Sequence, residues 1–123
     1  MHLPTILPTL ALLLTTASAA VIQRQNDPHV LDFRTWGSSD CGQDNQGIWT
    51  FTESDVTGEC KHFADYGVVV NSLSLVSLTQ PSNHTLQVFW SDDCDSMDYH
   101  FPTPDRSCFA PPEGINLKAF RIN

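Results

Sequence analysis

Apolar and polar residues alternate along most of this chain with a period of two. Val30 to Trp36 is rich in β-branched and aromatic residues. Ile48 to Glu53 sets Trp49 and Phe51 against Thr50 and Thr52, and Leu86 to Trp90 sets Leu86, Val88 and Trp90 against Gln87 and Phe89. Val68 to Leu78 is longer and more apolar, with Asn71-Ser72 marking a bend, and Ile115 to Ile122 alternates again. Such runs predict strands half buried in a sheet. No segment carries a 3.6-residue stripe, and Ser54 to Asp65 has room for one short turn. Turn chemistry separates the runs at 37–40, 42–47, 81–83, 102–107 and 111–112. The pattern predicts an all-β domain, an antiparallel sandwich or barrel.

A weak internal repeat organises these strands. Val30, Phe33 and Cys41 match Leu86, Phe89 and Cys94, and each strand runs into an Asp-Cys step, Asp40-Cys41 and Asp93-Cys94. A second cysteine follows in each half, Cys60 and Cys108. Ser72-Leu73-Ser74-Leu75 then matches Ala119-Phe120-Arg121-Ile122, which puts Leu73, Leu75, Phe120 and Ile122 on inner faces and Arg121 outside. Each half is expected to be one four-strand unit, and the two bury a shared apolar face.

The first residues differ from all this. Ile6, Leu7 and Leu10 to Leu14 form a short apolar run that ends before Ala17-Ser18-Ala19, the arrangement of a secretory signal cut after Ala19. The expected organisation is a signal peptide at 1–19, a flexible lead-in at 20–29 and a β domain at 30–123. An extracellular, oxidising destination makes Cys41, Cys60, Cys94 and Cys108 disulfide partners rather than metal ligands or nucleophiles. A run of this length, broken by Pro8 and Thr9, falls short of a membrane span. The chain carries 14 Asp and Glu against 6 Lys and Arg, a net charge of −8. That field repels phosphate backbones, so neither nucleic acid nor membrane is an expected partner.

The run from Leu86 to Cys94 (LQVFWSDDC), followed by Cys108 and a strand with Phe120 and Ile122, resembles small secreted proteins of filamentous fungi. That group is similar to the βγ-crystallin fold, two Greek-key motifs wrapped into a small β-sandwich. The resemblance covers Val30 to Asn123, but the aromatic-x-Gly corner of crystallins is not evident, and Cys94 stands near its place. A compact β-barrel of the Alternaria major allergen type is the alternative. The resemblance implies an extracellular protein or glycan as partner, with an effector- or toxin-like role and no cofactor.

Four cysteines allow three pairings. The half-by-half repeat favours Cys41–Cys60 and Cys94–Cys108, each inside one half and worth about 3 kcal/mol in loop entropy. On this reading a Cys41–Cys94 or Cys41–Cys108 link would remove the two-unit model. Asn83-His84-Thr85 is an N-glycosylation sequon in a turn before a strand. Crystallin calcium loops carry two Asn/Asp residues, two free positions, then Ser/Thr and Ser. Asp92, Asp93 and Ser96 fit the first three requirements, and Met97 fails the last. A plain acidic turn is the favoured reading of this segment, with Asp92, Asp93 and Ser96 as weak calcium candidates.

Catalysis is weighed against a binding role. Gly-x-Ser-x-Gly and His-Glu-x-x-His motifs are absent. An acidic ribonuclease needs a base, an acid and an Arg, for which His29, His62, His84, His100, Glu53, Glu59 and Arg106 are the residues at hand. The histidines are scattered over turn-like segments, and the Tyr-Glu-x-aromatic strand of those enzymes is missing. The expectation is a non-enzyme, with a small secreted hydrolase as the alternative. Trp36, Trp49, Trp90, Phe33, Phe51, Phe89 and Phe120 are expected mainly in the core. Phe89 and Trp90 are adjacent on a strand, so one of them faces outward or lies under a loop.

Overall fold

The computed structural model describes residues 26–79 and 83–123. The expected signal peptide, residues 20–25 of the expected lead-in, and the Pro81-Ser82 part of the expected turn lie outside the described residues. Seven strands are present: β1 (His29–Trp36), β2 (Asn45–Thr52), β3 (Lys61–His62), β4 (Ser72–Leu78), β5 (Leu86–Phe89), β6 (Tyr99–His100) and β7 (Ala119–Ile122). They form two antiparallel sheets, ordered β2-β1-β4 and β3-β7-β5-β6. Both sheets are open, so the molecule is a small β-sandwich and not a closed barrel. Two short 3₁₀ turns, Glu53–Asp55 and Phe63–Tyr66, occupy the stretch expected to hold one turn.

The folded part starts earlier than Val30. Asp27 Oδ1 accepts the Ser54 N–H at 2.9 Å, and its Oδ2 accepts the Thr52 and Ser54 hydroxyls. Pro28 O accepts the Glu53 N–H. The end of the expected lead-in is therefore stitched to the end of β2.

Alternation sets the core, as expected of half-buried strands. Leu31, Phe33 and Thr35 of β1, Leu73 and Leu75 of β4, Val88 of β5, and Phe120 and Ile122 of β7 are buried between the sheets. Phe33 is the hub: its ring lies 5.5 Å from each of Trp49, Phe51 and Phe120. Burial of such side chains is worth about 1.5–3 kcal/mol each. Thr35 is the polar exception, and its hydroxyl accepts the Trp49 indole N–H at 3.1 Å.

The two Greek-key-like halves are real, but they are interlocked. The third strand of each half crosses to the opposite sheet. β3 pairs with β7, Lys61 opposite Phe120. In the mirrored place Phe109 bridges Leu73 of β4 through two backbone bonds, 2.9 and 2.8 Å. The two halves meet at Val70 and Leu117, each the forerunner of its last strand, which bridge one another. Asn71 N–H donates to Trp36 O, and its counterpart Lys118 N–H donates to Phe89 O, at 2.9 and 2.8 Å.

This exchange overturns the expected cysteine pairing. The bridges are Cys41–Cys108 and Cys60–Cys94, not Cys41–Cys60 and Cys94–Cys108. Cys60 and Cys108 stand at the exchanged strands, so each reaches the hairpin cysteine of the other half. The pseudo-twofold carries one bridge onto the other, which preserves the expected equivalence of Cys41 with Cys94 and Cys60 with Cys108. A Cys41–Cys108 link therefore accompanies the two-unit architecture instead of excluding it. With sequence separations of 67 and 34, the bridges close longer loops than expected, worth about 4 kcal/mol each by chain entropy.

The repeat also needs a shift in its first strand. Phe33 lies opposite Leu75, and Leu86 lies opposite Ile122. Phe33 thus corresponds to Leu86, and Trp36 to Phe89, rather than Val30 to Leu86 and Phe33 to Phe89. With that shift, each first cysteine follows its strand at the same interval.

Candidate functional site

The outer face of the β2-β1-β4 sheet carries a cleft of about 330 Å³. Arg34 and Trp36 alternate on β1 and point away from the core, whose side Leu31, Phe33 and Thr35 occupy. Ser74 pairs with Arg34 across the β1–β4 ladder, and Val76 lies further along β4. Cys41 of the β1–β2 hairpin and Arg106 of the loop leading to Cys108 complete the lining. The Cys41–Cys108 bridge holds those two segments together across the end of the sheet.

Arg106 is fixed by its backbone. Its N–H donates to Leu75 O at 3.3 Å, and its φ of 64° is left-handed, a conformation unfavourable for a residue with a Cβ. The preceding Asp105 closes the turn: its carboxylate accepts the Ser107 N–H and the Thr103 hydroxyl, both at 3.0 Å. The bonds from Ser107 and Thr103 hold the Asp105 carboxyl below the usual aspartate range.

The electrostatics of the cleft run against those of the molecule. Two of the six Lys and Arg residues converge here, in a chain of net charge −8. The ion pairs among the described residues are His29–Asp32, His84–Glu53 and Arg121–Asp95, and none involves Arg34 or Arg106. Trp36 is half-buried, and among the described residues its ring meets no other aromatic ring. Trp49 and Trp90, by contrast, pack against the core. The expectation of a core role holds for Trp49, Phe33, Phe51 and Phe120, while Trp36 lies outside the core cluster. Phe89 is the outward member of the Phe89–Trp90 pair, buried in a second small cluster with Cys94 and Ala119.

Two further clefts flank the meeting point of the halves. One involves Ser39, Asn71, Pro111 and Glu113, and the other Asp92, Lys118, Phe63 and Asp65. These residues correspond in pairs under the pseudo-twofold, so both clefts follow from the fold itself. The arginine cleft is not matched in this way: the positions equivalent to Arg34, Trp36 and Ser74 are Gln87, Phe89 and Arg121.

The remaining sequence candidates lie apart from it. Ser96 Oγ is 2.6 Å from Ser91 Oγ and accepts the Asp98 N–H, and Asp93 Oδ1 accepts the Asp95 N–H at 2.8 Å. The Asp92 carbonyl accepts from His62 Nε2 at 2.9 Å. Asp93 and Ser96 are thus engaged in closing the turn, as Asp40 is in the other half, where it accepts the Gly42 N–H at 3.0 Å. Among the described residues, no group of three or more His, Cys, Asp or Glu could hold a metal ion. Asn83 is exposed.

The four histidines among the described residues do not converge. His29 Nε2 sits 2.9 Å from Asp32, His62 binds the Asp92 carbonyl, His84 Nε2 lies 3.1 Å from both Glu53 oxygens, and His100 stacks on Phe109 with centroids 4.1 Å apart. Burial lowers the His100 pKa from its ordinary value. Arg106, the phosphate-holding residue of the ribonuclease alternative, lines a cleft whose described lining contains no histidine and no carboxylate.

Sequence reasoning placed Arg106 in a different role and missed the cleft. The available signal was Arg34-x-Trp36 on one strand face, together with an arginine two residues before a cysteine. No family model, no curated protein and no solved structure matches the chain. The two disulfides are compatible with an extracellular protein. No helix among the described residues is long and apolar enough to cross a membrane.

Proposed function

We propose that this is a secreted, non-catalytic interaction protein of the βγ-crystallin-like group, effector- or toxin-like, and that it meets its partner through the Arg34–Trp36–Arg106 cleft. The observation that carries this reading is one cleft lined by two arginines that enter no ion pair among the described residues and by a partly buried tryptophan. Buried or paired arginines serve the fold, whereas unpaired ones in a cleft are positioned for an anion. A lining of fixed cations, with no histidine or carboxylate, suits holding a ligand more than moving a proton. The fungal origin and the effector- or toxin-like role rest on the resemblance in sequence. A glycan on Asn83 is part of the same reading of a secreted protein.

The test is a binding screen of the secreted protein against glycan arrays, chitin and intact cells, with Arg34→Gln and Arg106→Gln beside wild type. Binding that both variants lose supports the reading. Hydrolysis of RNA or cell-wall polysaccharide by the purified protein would replace it with the hydrolase alternative.

A further inference from the structure

We infer that the cleft recognises a sugar ring bearing a single carboxylate, a hexuronate-type residue at the end of a glycan. The inference rests on the reading of the cleft as the contact surface and names the chemistry that surface selects.

Three features of the cleft set the ligand. Arg34 and Arg106 approach from different segments, β1 and the loop before Cys108, and both line the same space. Guanidinium forks match the planar geometry of a carboxylate, and two forks can engage its two oxygens. Trp36 stands two residues along β1 from Arg34 on the same face. Its indole offers a flat apolar plate against which the C–H face of a pyranose can exclude water. Ser74, opposite Arg34 on β4, is itself buried and adds a small polar side chain to the lining. At about 330 Å³, the cleft is at the small end of ligand pockets, suited to a terminal ring rather than an extended chain.

The charge of the whole molecule narrows the class further. A densely charged chain would bring many negative groups up to a protein of net charge −8, and the summed field opposes it. A single carboxylate meets the two arginines that line the cleft, with Asp32 on the same face of β1 already engaged by Ser77 and His29, while charges farther off are screened beyond about 8 Å at physiological salt. A monoanionic sugar therefore gains the local attraction and escapes most of the repulsion.

The full secreted protein should be titrated with glucuronic acid, methyl glucoside, acetate, a neutral oligosaccharide ending in one glucuronate, and a heparin hexasaccharide. Protein-observed NMR gives affinity and location together. Glucuronate should bind at about millimolar Kd and shift the Arg34, Trp36 and Arg106 signals. Methyl glucoside and acetate, each lacking one recognition element, should bind at least about tenfold more weakly, a difference of about 1.4 kcal/mol. The oligosaccharide ending in glucuronate should bind more tightly than the free sugar, which separates a glycan-borne source from a free acid. Arg34→Gln, Arg106→Gln and Trp36→Ala should each weaken glucuronate about tenfold or more while leaving the melting transition in place.

Equal affinity for methyl glucoside and glucuronate overturns the inference, as does tighter binding of the heparin fragment. Absence of uronate binding, with some other ligand lost in Arg34→Gln, overturns the uronate but leaves the cleft as the contact surface. A ligand bound equally by wild type, Arg34→Gln and Arg106→Gln overturns both.

Discussion

The outer faces of the two sheets are built on one plan and finished differently. Each lies beside a disulfide that joins a hairpin of one half to the exchanged strand of the other. On the β3-β7-β5-β6 face, Phe89 and Ala119 are fully buried and Gln87 is nearly so, with Cys94 beside them. Arg121 covers them. Its guanidinium lies 5.5 Å from the Phe89 ring centre, and its Nε–H donates to Gln87 Oε1 at 2.8 Å. On the β2-β1-β4 face the corresponding positions are Trp36 for Phe89, Arg34 for Gln87 and Ser74 for Arg121. Serine is too short to cover a tryptophan, so a cleft stands here instead, and Arg34 enters no ion pair among the described residues. Duplicated architecture makes the difference informative: one copy serves stability, and the other is free to diverge toward a ligand.

The largest effects should come from the bridges that bound both faces. Non-reducing peptide mapping should recover Cys41–Cys108 and Cys60–Cys94. Replacing both cysteines of either bridge with alanine should cost about 4 kcal/mol by loop entropy, a large share of the ~5–15 kcal/mol available to a small domain. Loss of Cys60–Cys94 should be the worse of the two, because Cys94 is buried against Phe89, whereas Cys108 is exposed. Equal costs in denaturant melts would mean that the second cluster adds nothing to its face.

The contrast between the faces should be sharpest at their aromatics. Phe89→Ala removes a fully buried ring and should cost about 3–5 kcal/mol, similar to Phe120→Ala in the main core. Trp36→Ala should cost less, about 1–2 kcal/mol, since a partly buried ring at the surface leaves no closed cavity. If Trp36→Ala proved as damaging as Phe89→Ala, the open face would be a structural surface and not a binding one.

These pairings also mark what could be read from sequence. The five longer strands, the inner positions Leu73, Leu75, Phe120 and Ile122, and the equivalence of the cysteines all followed from period-two alternation and spacing. The strands β3 and β6 are two residues long, too short for any periodicity. Alternation reports which side of a strand is buried, but not which sheet the strand joins. The exchange of the third strand, and with it the cysteine pairing, was therefore outside its reach. The cleft was hidden for the same reason. Arg106 lines the same cleft as Arg34 because Cys108 crosses to Cys41, so the wrong pairing kept the two arginines apart.

The arginines give the next contrast. Arg121 is outward-facing, as expected, and a bare surface residue costs under about 0.5 kcal/mol when truncated. Its bond to Gln87 and its position over Phe89 raise that to about 1–2 kcal/mol. The Asp95 contact, at 3.8 Å with Asp95 90% exposed, adds little. Arg34→Ala, with no partner to lose among the described residues, should stay within about 0.5 kcal/mol. Chemical denaturation of both variants checks the ordering, and a larger loss for Arg34→Ala would show that it supports its own face.

The smallest expected effect is a pH dependence that also separates the halves. The residue after the second cysteine meets a side chain of the second strand in each half. Lys61 sits 5.6 Å from the Phe51 ring centre in the first, and Phe109 stacks on His100 in the second. Burial lowers the His100 pKa, so the folded protein holds the neutral ring while the unfolded chain protonates near its ordinary value of ~6.5. Stability from this site is therefore present above about pH 6.5 and is lost as pH falls through the lower folded value. Four aspartates act further down the scale. For Asp32, burial opposes ionisation but is outweighed by bonds from Ser77, Thr50 and His29. Asp27 is lowered by bonds from Ser54 and Thr52, Asp40 by bonds from Ser38 and Gly42, and Asp105 by bonds from Ser107 and Thr103. Their contribution is present above the ordinary aspartate value of about 3.9 and disappears below it. Urea melts should thus weaken in two stages, gently as pH falls below about 6.5 and more steeply below about pH 4. His100→Phe should flatten only the first stage. A first stage that persists in His100→Phe would assign it to another histidine and leave the His100–Phe109 stack without a part in the pH response.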